Sequence, residues 1–175
     1  LSYTSFAYSD LKATPDSVTL TVTNTGSCDG AEIVQIYVAK PDARVFRPVQ
    51  ELKGFEKVKL AAGESKCVTI PLDDKAFRYW NTMTNAWEIE GGHYEIRVGA
   101  SCEDIRLTAT VEVAGTGAPN PYAGISLPHY ESGKVMNVPD AEWEVLLDRP
   151  IPDDTVKIDC NMTLGELKHS RSPLC

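Results

Sequence analysis

Any chemistry in this chain would have to come from its acids, histidines or thiols, and their spacing can be weighed first. There are 25 Asp and Glu residues against 17 Lys and Arg. Two acid pairs stand out, Asp73-Asp74 and Asp153-Asp154, because two carboxyls can divide general-acid and general-base work. Side chains of sequence neighbours point to opposite sides of a strand, so adjacency does not aim two carboxyls at one atom. Turn, cap and solubility roles explain both pairs better. His93, His129 and His169 lie far apart, without the spacing of a metal site or a triad. No Gly-x-Ser-x-Gly elbow marks a nucleophile. Cys28, Cys67, Cys102, Cys160 and Cys175 make no Cys-x-x-Cys pair and no zinc-like cluster. The expectation is no catalytic residue, no metal and no cofactor.

The odd cysteine count leaves two readings open. One is two disulfides and a spare thiol; the plainer one is reduced thiols in a cytoplasmic protein. The chain opens at Leu1 with neither Met nor a leader pattern, which reads as a processed product or a fragment. A formal charge of -8 argues against nucleic acid, where cations must replace counterions on phosphate. No apolar run approaches the ~20 residues of a membrane helix. At 175 residues and 42% apolar composition, one ordinary domain with an appendage is expected.

Alternation supplies the elements that would position any site. Ser17–Thr23 puts Val18, Leu20 and Val22 on one side, and Asn24-Thr25-Gly26 breaks the run. Further strands are predicted at Ile33–Val38, Gly54–Leu60, Cys67–Leu72, His93–Val98 and Ile105–Val113. Asp73 suits the cap of one helical turn through Phe77. About seven short strands without long helices predict an all-β, immunoglobulin-like antiparallel sandwich over residues 1–115.

The connection from Pro41 to Lys53 is long for a compact domain, and such loops usually cover or bind something. It carries Arg44, Val45, Phe46, Arg47 and Pro48, read here as a contact for a neighbouring domain. Trp80 and Trp87 flank the expected hairpin turn Asn81–Asn85. Core or interdomain packing is the first reading for them; a platform for a glycan is the alternative.

Residues 116–175 form a different segment. Prolines between Asn120 and Tyr130 predict an extended strap anchored by Tyr122, Leu127 and Tyr130. A short helix is predicted over Val138–Leu147, with Trp143, Leu146 and Leu147 on one face. Thr163-Leu164-Gly165-Glu166 has the form of a capping box opening a second helix. Both are too short to stand alone and must pack on the sandwich, on neighbouring domains or on another copy. Asn161-Met162-Thr163 is a glycosylation triplet that capping explains equally well.

These stretches together resemble a known family. Leu1–Phe6 resembles the end of the motif that closes the α/β-sandwich domain of family 3 glycoside hydrolases. Asn24-Thr25-Gly26 and Gly30–Val38 are similar to strands of the fibronectin type III-like domain that follows it. Arg47–Phe55 is the most specific match, and Gly63-Glu64-Ser65 and Trp87–Gly99 add to it. The likeness covers residues 1 to 113; the tail resembles an extension of bacterial members. It implies a retaining β-glucosidase or related exo-acting β-glycosidase as parent, with a nucleophilic aspartate on a barrel domain and an acid/base elsewhere. No position here matches either. The implied role is a non-catalytic stabilising domain, partnered by the catalytic barrel and α/β-sandwich domains. A carbohydrate-binding module using Trp80 and Trp87, or an oligomerisation module using the tail, are the alternatives.

Overall fold

The computed structural model describes residues 2–151 together with 160, 163 and 165. The chain forms two compact units, residues 1–124 and 125–175. The first is built from β1 (Phe6–Ala13), β2 (Ser17–Asn24), β3 (Gly30–Ala39), β4 (Glu51–Leu60), β5 (Ser65–Pro71), β6 (Arg78–Asn81), β7 (Ala86–Ile89), β8 (Gly92–Gly99) and β9 (Ile105–Val113). All pairings are antiparallel. One sheet has the order β1-β2-β5 and the facing sheet β4-β3-β8-β9, while β6 and β7 form a separate hairpin. β1 lies against β9 and β4 against β5, which closes the two sides.

The alternation explains the core. Val18, Leu20 and Val22 of one sheet are fully buried, as are Val34, Ile36, Tyr94, Ile96 and Val98 of the other. Each such aliphatic side chain contributes about 1.5–3 kcal/mol on leaving water. At one end of β2 the buried residue is Asn24, and its amide is fully used. Its Oδ1 accepts from Thr4 Oγ1 at 2.6 Å and Gly26 N at 3.1 Å. Its Nδ2 donates to the Cys28 and Leu60 carbonyls at 2.8 and 3.2 Å.

The two outer faces differ. On the three-stranded sheet Thr19 meets Thr69 at 3.0 Å and Thr23 meets Ser65 at 2.7 Å, hydroxyl to hydroxyl. On the other sheet β4 carries a bulge: its register against β3 slips between Ile36 and Tyr37. Gly54 stands opposite Ile36 and Leu52 opposite Tyr37, leaving Lys53 as the extra residue.

Asp73 caps the 3₁₀ turn Asp74–Ala76, accepting from Lys75 N at 3.0 Å. β1 is an element the alternation did not reveal. The predicted strap stops at Leu127, because Pro128 opens a helical turn, α1 (Pro128–Glu131). α2 (Asp140–Leu147) ends at Asp148 in the left-handed region, before Arg149-Pro150. The second tail helix falls largely outside the described residues, as do Asp153-Asp154, Asn161-Met162 and His169.

Candidate functional site

The residues with catalytic potential are dispersed. Asp73 caps a turn and Asp74 reaches Arg78 at 3.4 Å. His93 pairs across the strands with Glu112 at 2.6 Å, on the surface. His129 meets Glu142 at 2.9 Å within the second unit. Among the described residues no group of three His, Cys, Asp or Glu side chains could hold a metal ion. No helix among them is long and apolar enough to cross a membrane. Cys28, Cys67, Cys102 and Cys160 are exposed free thiols.

What the fold does assemble lies around the Pro41–Gln50 loop. Its side chains alternate. Val45 is buried, while Arg44, Phe46 and Pro48 face outward. The Arg47 side chain turns inward, with 7% of it exposed, and donates through Nη2 to the Phe77 carbonyl at 2.9 Å. Its guanidinium lies over the rings of Tyr79 and Tyr94, 5.4 and 5.8 Å from their centroids. Buried Glu90 holds the other end. Its Oε1 accepts from the Arg44 backbone N–H at 2.8 Å and from Arg44 Nε at 3.2 Å. Its Oε2 is 4.0 Å from Arg47 Nε, an ion pair without a hydrogen bond. Sequence reasoning missed Glu90: nothing local distinguishes it from other acids, and its role exists only once β7 and β8 are folded.

Tyr94 completes the cluster. Its phenol donates to the Glu90 carbonyl at 2.7 Å, and its ring meets Phe77 edge-on at 5.1 Å. Burial pushes this phenol up to about 12, so it stays a donor at neutral pH. Lys40 sits over the same ring at 4.9 Å and pairs with Asp42 at 3.0 Å. A cavity of about 270 Å³ opens beside Arg44, Val45, Tyr79 and Glu90. That is below the ~300–1,000 Å³ of ordinary small-molecule sites. With its carboxylate committed to Arg44 and Arg47, the cluster works as a fastener for the loop rather than as an acid or base.

The hairpin stands beside it. Trp80 and Trp87 are a directly opposed cross-strand pair, both exposed, with centroids 5.5 Å apart and planes at 78°. Arg78 lies over the Trp87 ring at 4.6 Å. The two indoles make a corner, and one is already stacked by a guanidinium. In the second unit Tyr130 meets Trp143 edge-on at 6.0 Å, and Trp143 and Leu146 remain partly exposed.

A three-on-four antiparallel sandwich whose Tyr94 hydroxyl reaches back to the backbone four residues upstream has the build of the fibronectin type III class. Residues 32–102 match the model of the Fn3-like family, the fibronectin type III-like domain. The exo-α-(1→6)-L-arabinopyranosidase of Bifidobacterium breve is 49% identical over 126 residues, which are 69% of this chain and 17% of that protein. Thermostable β-glucosidase B of Acetivibrio thermocellus is 46% identical over 124 residues, 66% of this chain and 16% of that protein. The crystal structure of the GH3 β-glucosidase of Bifidobacterium adolescentis superposes with a TM-score of 0.64 at 41% identity. It covers 82% of this chain and 20% of that one. This chain belongs to the fibronectin type III-like domains of family 3 glycoside hydrolases. It spans about one sixth of the length of the curated relatives it matches.

Proposed function

We propose that this chain is a non-catalytic accessory domain of a family 3 β-glycosidase, and that it stabilises the longer polypeptide by packing against it. The observation that carries the reading is the clamped loop. Val45, Arg47 and Glu90 hold it to the sandwich and Phe46 packs on the Tyr122 ring at 4.5 Å, so that Arg44, Pro48 and the open side of Phe46 are presented outward on a fastened base. Rigid presentation lowers the entropic cost of docking. An interface of ~1,000 Å² or more is the usual size for a specific contact. A further support is that relatives named for different sugars, an arabinopyranosidase and a glucosidase, share this domain at similar identity. Sugar choice then resides elsewhere in the longer chain.

Deleting this segment from the full-length enzyme tests the proposal. Melting temperature and soluble yield should fall, with turnover per folded molecule retained. A truncated enzyme that melts normally but has lost turnover would rule the reading out.

The glycan alternative meets an obstacle in the indole geometry. A sugar stacks on a flat, open ring face, whereas Trp80 and Trp87 are near-perpendicular and Arg78 occupies one face of Trp87.

A further inference from the structure

We propose that the outer face of β4 and β3, centred on Leu52, Phe55 and Ile33, is the surface that docks against the remainder of the longer glycosidase chain. The proposal rests on the accessory-domain reading and names where the contact is made.

The bulge carries the argument. In regular pairing, residues three apart fall on opposite faces of a strand. Leu52 and Phe55 share the outer face only because Lys53 is an extra residue. Without it Leu52 would stand opposite Val38 and point into the sandwich. The strand instead turns a leucine outward and places Glu51 opposite Val38. Gly54 makes this packing feasible, since a methyl there would lie 2.9 Å from Ile70 Cγ2. A bulge that exchanges an inward leucine for a glutamate has no benefit to an isolated core, and every benefit to a face that another surface covers.

The result is an apolar patch. Phe55 is 66% exposed, Leu52 50% and Ile33 44%. Phe55 stands opposite Gln35 and Ile33 opposite Lys57, so Phe55 and Ile33 are diagonal neighbours within side-chain reach. Val49 and Phe46, also exposed, lead into the patch from the loop. β4 is the outermost strand of its sheet, and a cluster of large apolar side chains left in water on a sheet face marks a surface that another one covers. The outer face of the other sheet, with its paired hydroxyls, shows how this fold finishes a surface meant for water.

The occupant follows from length and charge. The matched relatives are about six times longer than the part this chain spans, so most of the polypeptide lies outside it. Lys57 and Lys59 stand on the same face at one end of the patch. The surface that fits is apolar at its centre with carboxylates opposite those lysines.

Hydroxyl-radical footprinting read by mass spectrometry tests this on unmodified protein. The 175-residue chain and the full-length enzyme would be compared at concentrations where light scattering shows each monomeric. Leu52 and Phe55 should be modified at least fivefold more slowly in the full-length enzyme. Protection of Phe46 without Leu52 and Phe55 would overturn this face and leave the accessory reading standing. Protection of none of the three would remove both. Protection in the 175-residue chain that grows with concentration would assign the face to a second copy, against the proposal. In parallel, L52S/F55S should leave the melting temperature of the 175-residue chain unchanged and lower that of the full-length enzyme. A loss in the short chain, or none in the long one, would also overturn it.

Discussion

The Tyr94 hydroxyl donates to the Glu90 carbonyl 2.7 Å away, spanning the turn that leads into β8. The same residue Glu90 fixes the loop before β4 through its side chain. One backbone–side-chain contact therefore connects the centre of the core to the surface loop. Replacing Tyr94 by Phe keeps the ring and removes the donor, leaving a buried carbonyl without this partner. A loss of about 1–2 kcal/mol in denaturant unfolding is expected; no change would mean water substitutes fully.

Alkaline titration reads the same cluster. Burial is the main cause that holds Tyr94 near 12, against 10.0 for a free phenol, and burial holds the Tyr8 phenol higher still. Both folded values are raised, so their contribution is complete below about pH 10 and is lost as pH rises toward and through the folded values. Unfolding midpoints should fall over that range, and phenolate absorbance from these two tyrosines should appear only with unfolding. Full ionisation in a chain that keeps its native circular dichroism would contradict the burial argument.

Glu90→Ala should release the loop. It leaves Arg47 buried without its counter-charge and the Arg44 N–H without an acceptor. A cost of about 2–4 kcal/mol is expected, with faster hydrogen exchange at Arg44 than in the parent chain. Slow exchange retained at Arg44 would show that Val45 packing alone holds the loop.

Asn24→Ala removes four hydrogen bonds at a fully buried site. A loss of about 2–3 kcal/mol should follow. Asn24→Asp should be no milder despite its shape, because a carboxylate would face the Cys28 and Leu60 carbonyls without a donor. Urea unfolding of the two variants decides the order.

Titration with soluble cello-oligosaccharides should leave tryptophan emission unchanged, given the corner made by Trp80 and Trp87. A saturable change abolished by Trp80→Ala would restore the glycan reading.

Strands with one fully buried face were legible, because alternation writes itself into Val18-Thr19-Leu20 and Tyr94-Glu95-Ile96. β1 was not. It is an outer strand with no fully buried residue, interrupted at Asp10, whose φ of 56° accompanies a slip in register. The loop was recognised by length and composition, yet its five residues were read as one outward surface. The turning inward of Val45 and Arg47 depends on Phe77, Tyr79 and Glu90, at least thirty residues away. The direction of Leu52 was equally hidden, since a bulge changes pairing without leaving a compositional mark.

Cys67 stands across from Thr21 on the hydroxyl-lined sheet, with the thickness of the core between it and Phe55. A tether attached there, once the other exposed thiols are serine, would immobilise the molecule with its apolar edge turned away from the support. Random amine coupling would do the reverse, because Lys57 and Lys59 are among the anchoring points and border that edge.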